Sequence, residues 1–120
     1  MLRTFCKSKI YEATVTQAEV HYEGSITIDE ELMHAADILP YERVQVLCLD
    51  NGQRLETYAI PGEKGSGIIG MNGAAAKLIE KGHKVLIISY IATEKYNGKP
   101  KLVKVEGDNK IVENEPTHSF

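Results

Sequence analysis

The chain has 120 residues, 14 Lys and Arg against 17 Asp and Glu, a formal charge of -3, and 42% apolar residues. That is one domain's worth of chain, long enough to bury a core without disulfides or a structural metal. The mild negative charge argues against nucleic acid as a main partner, and no apolar run reaches the length of a membrane span.

Taken in chain order, the first segment alternates. In "KIYEATVTQAEV" Ile10, Ala13, Val15 and, after a slip near Gln17, Val20 stand among polar residues, a pattern of strands. "HYEGSITID" (residues 21–29) follows, with a Gly-Ser pair where a turn is expected before a short β-prone run. "DEELMHAADIL" changes period: Leu32, Ala35, Ala36 and Leu39 repeat at helical spacing. Thr27 or Asp29 can cap that helix, and Glu30 and Glu31 sit in its first turn, where acidic groups favour the helix dipole.

"RVQVLCLD" alternates again through Val44, Val46 and Cys48, and Asn51-Gly52 predicts a two-residue hairpin turn into "QRLETYAI". "PGEKGSG" is expected as a loop and "IIGM" as a short strand. "NGAAAKLIEKG" predicts a brief helix with Asn72 as N-cap and Gly82 past its end. "HKVLIISYIAT" has too many consecutive apolar residues for a sheet wetted on one side. "KLVKVEG" is one more strand, followed by a turn at Asp108-Asn109 and a polar end expected to fray. Many short strands and two short helices in so small a chain predict a mainly β fold, a closed barrel that removes exposed edges.

Familiar chemistry is hard to find in the residues singly. "GEKGSG" lacks the Gly-Lys-Ser/Thr run into a helix that a phosphate loop needs. His21, His34, His83 and His118 never approach metal-ligand spacing, and Cys6 and Cys48 suit buried reduced thiols. The N-terminus lacks the apolar core of a secretory signal, so a cytoplasmic protein is expected. Three small clusters remain: Gly24-Ser25, "RLETY" at 54–58 and "NGAAA" at 72–76. Taken alone, each suits packing or surface better than function.

Their joint order changes the weighing. Lys9, "HYEGSITID", "NGQRLETYAI", "GSGII" and "NGAAA" stand at mutually consistent spacing from about Leu2 to Asn109. In this the chain resembles the aspartate 1-decarboxylases, pyruvoyl-dependent enzymes that make β-alanine for pantothenate synthesis. The resemblance implies a double-psi β-barrel with short helices, one domain over residues 1–120, assembled as a homotetramer with sites near subunit interfaces. It also implies a zymogen. Autocatalytic cleavage between Gly24 and Ser25 would yield a β chain of residues 1–24 and an α chain of residues 25–120. Ser25 would become a covalent pyruvoyl group, which takes L-aspartate as a Schiff base and releases carbon dioxide. No metal and no membrane enter this picture.

By the same resemblance, Tyr58 matches the proton donor, and Thr57 a residue tied to both self-cleavage and substrate contact. Arg54 and Lys9 match cations for the substrate carboxylates, and Asn72, Gly73, Ala74 and Ala75 match substrate contacts. Tyr22 is expected to line the pocket or pack beside the cleavage loop. The chemistry is consistent with these types. The nucleophile must carry a β-oxygen that can later leave, a phenol can pass a proton without a metal, and a guanidinium forks onto a carboxylate. Strand alternation sets neighbours Thr57 and Tyr58 on opposite faces, so sharing one site needs a twist or a strand edge. Two positions depart from the family pattern: Tyr11 stands where His is common, and Leu47 where several members carry an aromatic residue. The first bears on any His-assisted step and the second on packing or subunit contacts. Other readings of the same chain are a non-catalytic barrel used for binding, and a pyruvoyl decarboxylase acting on another acidic amino acid.

Overall fold

In the computed structural model, residues 1–116 are described. Nine strands form one sheet: β1 (Arg3–Thr14), β2 (Gln17–Glu19), β3 (Ser25–Asp29), β4 (Arg43–Cys48), β5 (Arg54–Gly62), β6 (Ile69–Asn72), β7 (Lys84–Thr93), β8 (Lys101–Glu106) and β9 (Lys110–Pro116). A single helix, α1 (Glu30–Ala35), follows β3, and a 3₁₀ turn spans Gly73–Lys77. The strand order is β2-β6-β3-β5-β4-β7-β1-β8-β9. The β3–β5, β2–β6 and β1–β8 pairs are parallel.

The fold is mainly β and barrel-like. Its hydrogen-bonded ladder does not close edge to edge; the covalent chain joins the edge strand β2 to β1. β1 pairs with β7, and the same strand path continues through Val15 and Thr16 into β2, which pairs with β6. Val15 N–H donates to the His83 carbonyl and Thr16 N–H to the Ile69 carbonyl, so this crossing is itself bonded on both sides. The inward side chains of the circuit, among them Ile10, Ile26, Ile28, Val46, Ile69, Met71 and Ile87, make one core. Each such side chain contributes on the order of 1.5–3 kcal/mol by leaving water.

The expected alternation holds for Ile10, Ala13 and Val15, all buried, while Val20 is exposed. The slip lies earlier than Gln17, at Glu12, which takes φ +58° where β1 skips register against β7 between Ile10 and Ala13. A bulge of this kind keeps one face of a long strand on a curved core. The helix begins as expected, capped by Asp29, whose Oδ1 accepts from Glu31 N–H. Thr27 does not cap it: two residues before the cap, its Oγ1 accepts from Asn72 Nδ2 instead. The helix stops at Ala35, and Leu39 is 67% exposed, since Asp37 at φ +55° turns the chain away.

Three further expectations are corrected. The β4–β5 connection is not a two-residue turn: Cys48 N–H bonds the Gln53 carbonyl across residues 49–52, and only Gly52 has positive φ. The segment after Asn72 is a short 3₁₀ turn rather than an α-helix, and Asn72 makes no side-chain cap. The stretch 110–116 is not a loose tail but strand β9 on β8; His118 and the other residues past 116 lie outside the described part.

Of "PGEKGSG", expected as a loop, Pro61 and Gly62 still belong to β5, and the loop proper that follows turns its backbone N–H groups to Asp29. Gly65 N–H and Gly67 N–H donate to Asp29 Oδ1 and Oδ2 at 2.9 and 2.8 Å. Asn109 fastens the same loop, donating from Nδ2 to the carbonyls of Gly67 and Thr14. β7 is the central strand expected from its composition, with Val85, Ile87, Ile88 and Ser89 all buried. Cys48 is buried and Cys6 half-buried, both free thiols. Among the described residues no helix is long and apolar enough to cross a membrane.

Candidate active site

Ser25 opens β3. Gly24 before it is exposed, whereas Ser25 is 2% exposed, so the solvent boundary falls at the peptide between them. Ile26 and Ile28 face the core, and alternation therefore turns Ser25 and Thr27 to the other face of the sheet. There β6 meets β3 with Asn72 opposite Ser25. Asn72, 3% exposed, donates from Nδ2 to Ser25 Oγ and to Thr27 Oγ1, each at 2.9 Å.

Gly73 completes this cluster by what it lacks. It takes φ +76°, and a Cβ there would stand 2.8 Å from Gly24 Cα and 3.0 Å from both Gly24 N and the Tyr22 carbonyl oxygen. Only glycine allows the chain to turn at this point with the 22–24 segment laid against it. Gly24 itself has open space around it. Beside the cluster lies a cleft of about 540 Å³ lined by Tyr22, Thr27, Asn72, Gln17, Glu19 and Ile60, among others.

The parallel β3–β5 register sets Ile26 opposite Ala59, and both are in the core. Ser25 and Tyr58, each one residue earlier, therefore share the outer face. The Tyr58 ring packs 6.1 Å from that of Tyr41. Thr57, paired with buried Val44 across an unbroken β4–β5 ladder, faces the other way. No twist or bulge reunites Thr57 and Tyr58 on one face of β5.

Arg54 and Lys9 lie farther off. Arg54 is exposed on the Tyr58 face but about 13 Å along β5 at the usual rise per residue. Lys9 is reached across the sheet through Glu56, Gln45 and Ile88, which stand in register, a lateral distance of about 14 Å at ordinary strand spacing. Ala74 is exposed and Ala75 half-buried in the 3₁₀ turn beyond Gly73. One chain thus brings together Gly24, Ser25, Asn72 and Gly73, with Tyr58 on the same face, and leaves Lys9 and Arg54 apart from them. Leu47, Leu86 and Ile88 cover the outer face between those cations and Leu102 flanks Lys9 on β8, all half-buried except for the more deeply set Ile88. Tyr11 is on β1, 36% exposed.

Two groups on this outer face have shifted acidities. Burial raises the Cys6 thiol above its ordinary value, against the opposing pull of Lys9. Tyr90, whose hydroxyl donates to Gln45 Oε1 at 2.6 Å, is raised by burial and by the nearby Cys6, with Arg54 opposing.

Thr27, one of the two caps expected for α1, and Asn72, the cap expected for the segment after it, both belong to this cluster instead. For Thr27, the spacing of two from Ser25 on a strand already assigns both to one face.

Fold and site together define a small barrel-like β protein with a buried serine hydroxyl beside an open cleft. The chain belongs to the aspartate decarboxylase family, whose model matches residues 1–112. It is 57% identical over 116 residues to an aspartate 1-decarboxylase of Pelotomaculum thermopropionicum, covering 94% of this chain and 88% of that protein. It is 56% identical over 115 residues to the aspartate 1-decarboxylase of Carboxydothermus hydrogenoformans, covering 93% and 91%. A third, from Caldicellulosiruptor bescii, is 57% identical over 109 residues, covering 88% and 85%.

Proposed function

We propose that this chain decarboxylates L-aspartate to β-alanine, using a pyruvoyl group that it makes from its own Ser25. Family membership and the relatives' names support the reaction. The observation that carries the cofactor is the buried Ser25 hydroxyl, held by Asn72 at 2.9 Å and adjoining an exposed glycine. The residues fit such a group: it needs no external binding pocket, only the place Ser25 already occupies and a donor beside it.

Maturation follows from the atoms present. Ser25 Oγ adds to the Gly24 carbonyl carbon, the C–N bond breaks, and the Oγ proton passes to the Ser25 nitrogen. The resulting ester then loses the Cα proton of residue 25 to solvent, and the Cβ–Oγ bond breaks with its electrons on oxygen. Gly24 leaves with a carboxylate. Water then displaces ammonia from the new N-terminus of the 25–120 chain.

When formed, the pyruvoyl group supplies the electron sink for the pair left by departing carbon dioxide. The protein's part is to hold the substrate and move one proton. Tyr58, on the Ser25 face, serves as proton donor. Arg54 and Lys9 bind the substrate carboxylates, with the backbone of Gly73, Ala74 and Ala75 and the amide of Asn72 as further contacts. Thr57, which the sheet turns to the face opposite Ser25, is given no part in the step at Ser25.

The separation of Arg54 and Lys9 from Ser25 within one chain favours a site completed by a neighbouring copy, in a cytoplasmic homotetramer. The apolar outer face of Leu47, Leu86, Ile88 and Leu102 suits such an assembly.

Intact mass under denaturing conditions tests this. Fragments 1–24 and 25–120 are expected, the larger without a free N-terminal amine, together with release of carbon dioxide from L-aspartate. Ser25→Ala is expected to remain one chain without activity; decarboxylation by that variant would overturn the assignment.

A further inference from the structure

We infer that Thr27 is a positioning residue for self-cleavage, its hydroxyl holding the Asn72 amide in the orientation that donates to Ser25 Oγ. This rests on the pyruvoyl reading above and adds a residue to it.

The geometry is specific. Asn72 Nδ2 carries two hydrogens in a fixed plane, and both have an oxygen at 2.9 Å: Ser25 Oγ and Thr27 Oγ1. With both engaged, the amide has one satisfied setting. Without the Thr27 oxygen, rotation about the broad terminal torsion of Asn72 no longer costs that second bond. The amide is nearly inaccessible to water, which would otherwise replace the lost partner.

Thr27 is itself held. A Cβ on Gly62 would stand 2.9 Å from Thr27 Cγ2, and one on Gly70 would stand 3.4 Å from Thr27 Cβ. Two residues without side chains therefore flank the threonine on its neighbouring strands. The threonine methyl lies in the space that a Cβ on Gly62 would fill, and a β-branched residue has few χ1 settings, so its hydroxyl keeps its direction toward Asn72.

The consequence for chemistry lies at Oγ. That atom is the nucleophile of the first step and, in the elimination, the atom that receives the electrons of the broken Cβ–Oγ bond. An N–H directed at it stabilises the charge as it develops. Thr27 touches no reacting atom; it acts through Asn72.

The test uses the full chain with Thr27→Val, which keeps the shape and removes the acceptor, and Thr27→Ser, which keeps the hydroxyl and removes the methyl. Cleavage is followed by intact mass against time. Thr27→Val is expected to cleave about ten to a hundred times more slowly than the unmodified chain, and Thr27→Ser to recover most of that loss. Thr27→Ala serves the same comparison should the valine variant not fold.

A second readout is independent of cleavage: exchange of the Asn72 side-chain amide protons, measured by NMR in the Ser25→Ala background. It is expected to be about tenfold faster when Thr27→Val is added. Cleavage of Thr27→Val at the unmodified rate, Thr27→Ser as slow as Thr27→Val, or unchanged Asn72 exchange would each overturn the inference. If the unmodified chain stays uncut, the pyruvoyl reading falls, and the exchange measurement alone decides the role of Thr27.

Discussion

Gly73 stands against Gly24 so closely that a Cβ on Gly73 would lie 2.8 Å from the Gly24 Cα. The residue that turns the chain after β6 thereby sets the position of the peptide expected to break. Gly73→Ala is predicted to slow formation of fragments 1–24 and 25–120 by about tenfold or more. The alanine must either hold a left-handed backbone, at about 1–2 kcal/mol, or push the 22–24 segment away. Intact mass against time checks this. Cleavage at the normal rate would mean that the segment yields without moving the Ser25 oxygen.

Tyr58 shares a face with Ser25, while its neighbour Thr57 does not. Tyr58→Phe is predicted to cleave normally yet lose about a hundredfold or more in kcat, because the ring packing on Tyr41 survives and only the proton is lost. A steady-state assay on fully cleaved protein separates these effects. Near-normal kcat would remove Tyr58 as the donor.

Asp29 gathers three backbone N–H groups, from Glu31, Gly65 and Gly67. Asp29→Ala is predicted to destabilise the fold by about 3 kcal/mol, since a helix cap and two loop bonds disappear together. Urea unfolding measures it. A loss within experimental error would show that solvent replaces the carboxylate freely.

The raised acidities of Cys6 and Tyr90 carry a pH dependence. Both groups are neutral when protonated, and the fold raises both above their unfolded values of 9.0 and 10.0. Their contribution to stability is therefore complete below about pH 9 and lost as pH rises through the folded values. The thermal midpoint is predicted to fall above pH 9, and Cys6→Ser combined with Tyr90→Phe to flatten that fall. An unchanged slope in the double variant would assign the alkaline loss to other groups.

How much of this was legible beforehand differs by element. Strands β4, β7 and β8 follow directly from their apolar patterns, because alternation and apolar runs report burial locally. The start of α1 was legible in Asp29, a short-range cap, but its end was not: Asp37 departs by a positive φ that no periodicity announces. The hairpin after β4 has its glycine where expected and four residues where two were expected, since strand registry rather than the dipeptide decides loop length. β9 looked like a polar tail because its stability comes from its partner β8 rather than from its own composition.

At the site, the sequence by itself determined which candidate groups are present. A serine after a glycine, a tyrosine, an arginine and a run of small residues stand at family spacing, and their atoms dictate what each can do. The tertiary structure alone decided which of them meet. Asn72 looked like a helix cap and is instead the amide over Ser25, because β6 pairs with β3 and brings positions 47 residues apart into register. Thr27 joins them through the same pairing, while Lys9 and Arg54 stay on a different part of the sheet. Reactivity belongs to side chains and is written along the chain. Proximity depends on long-range pairing, whose energy comes from residues in the core that take no part in the chemistry.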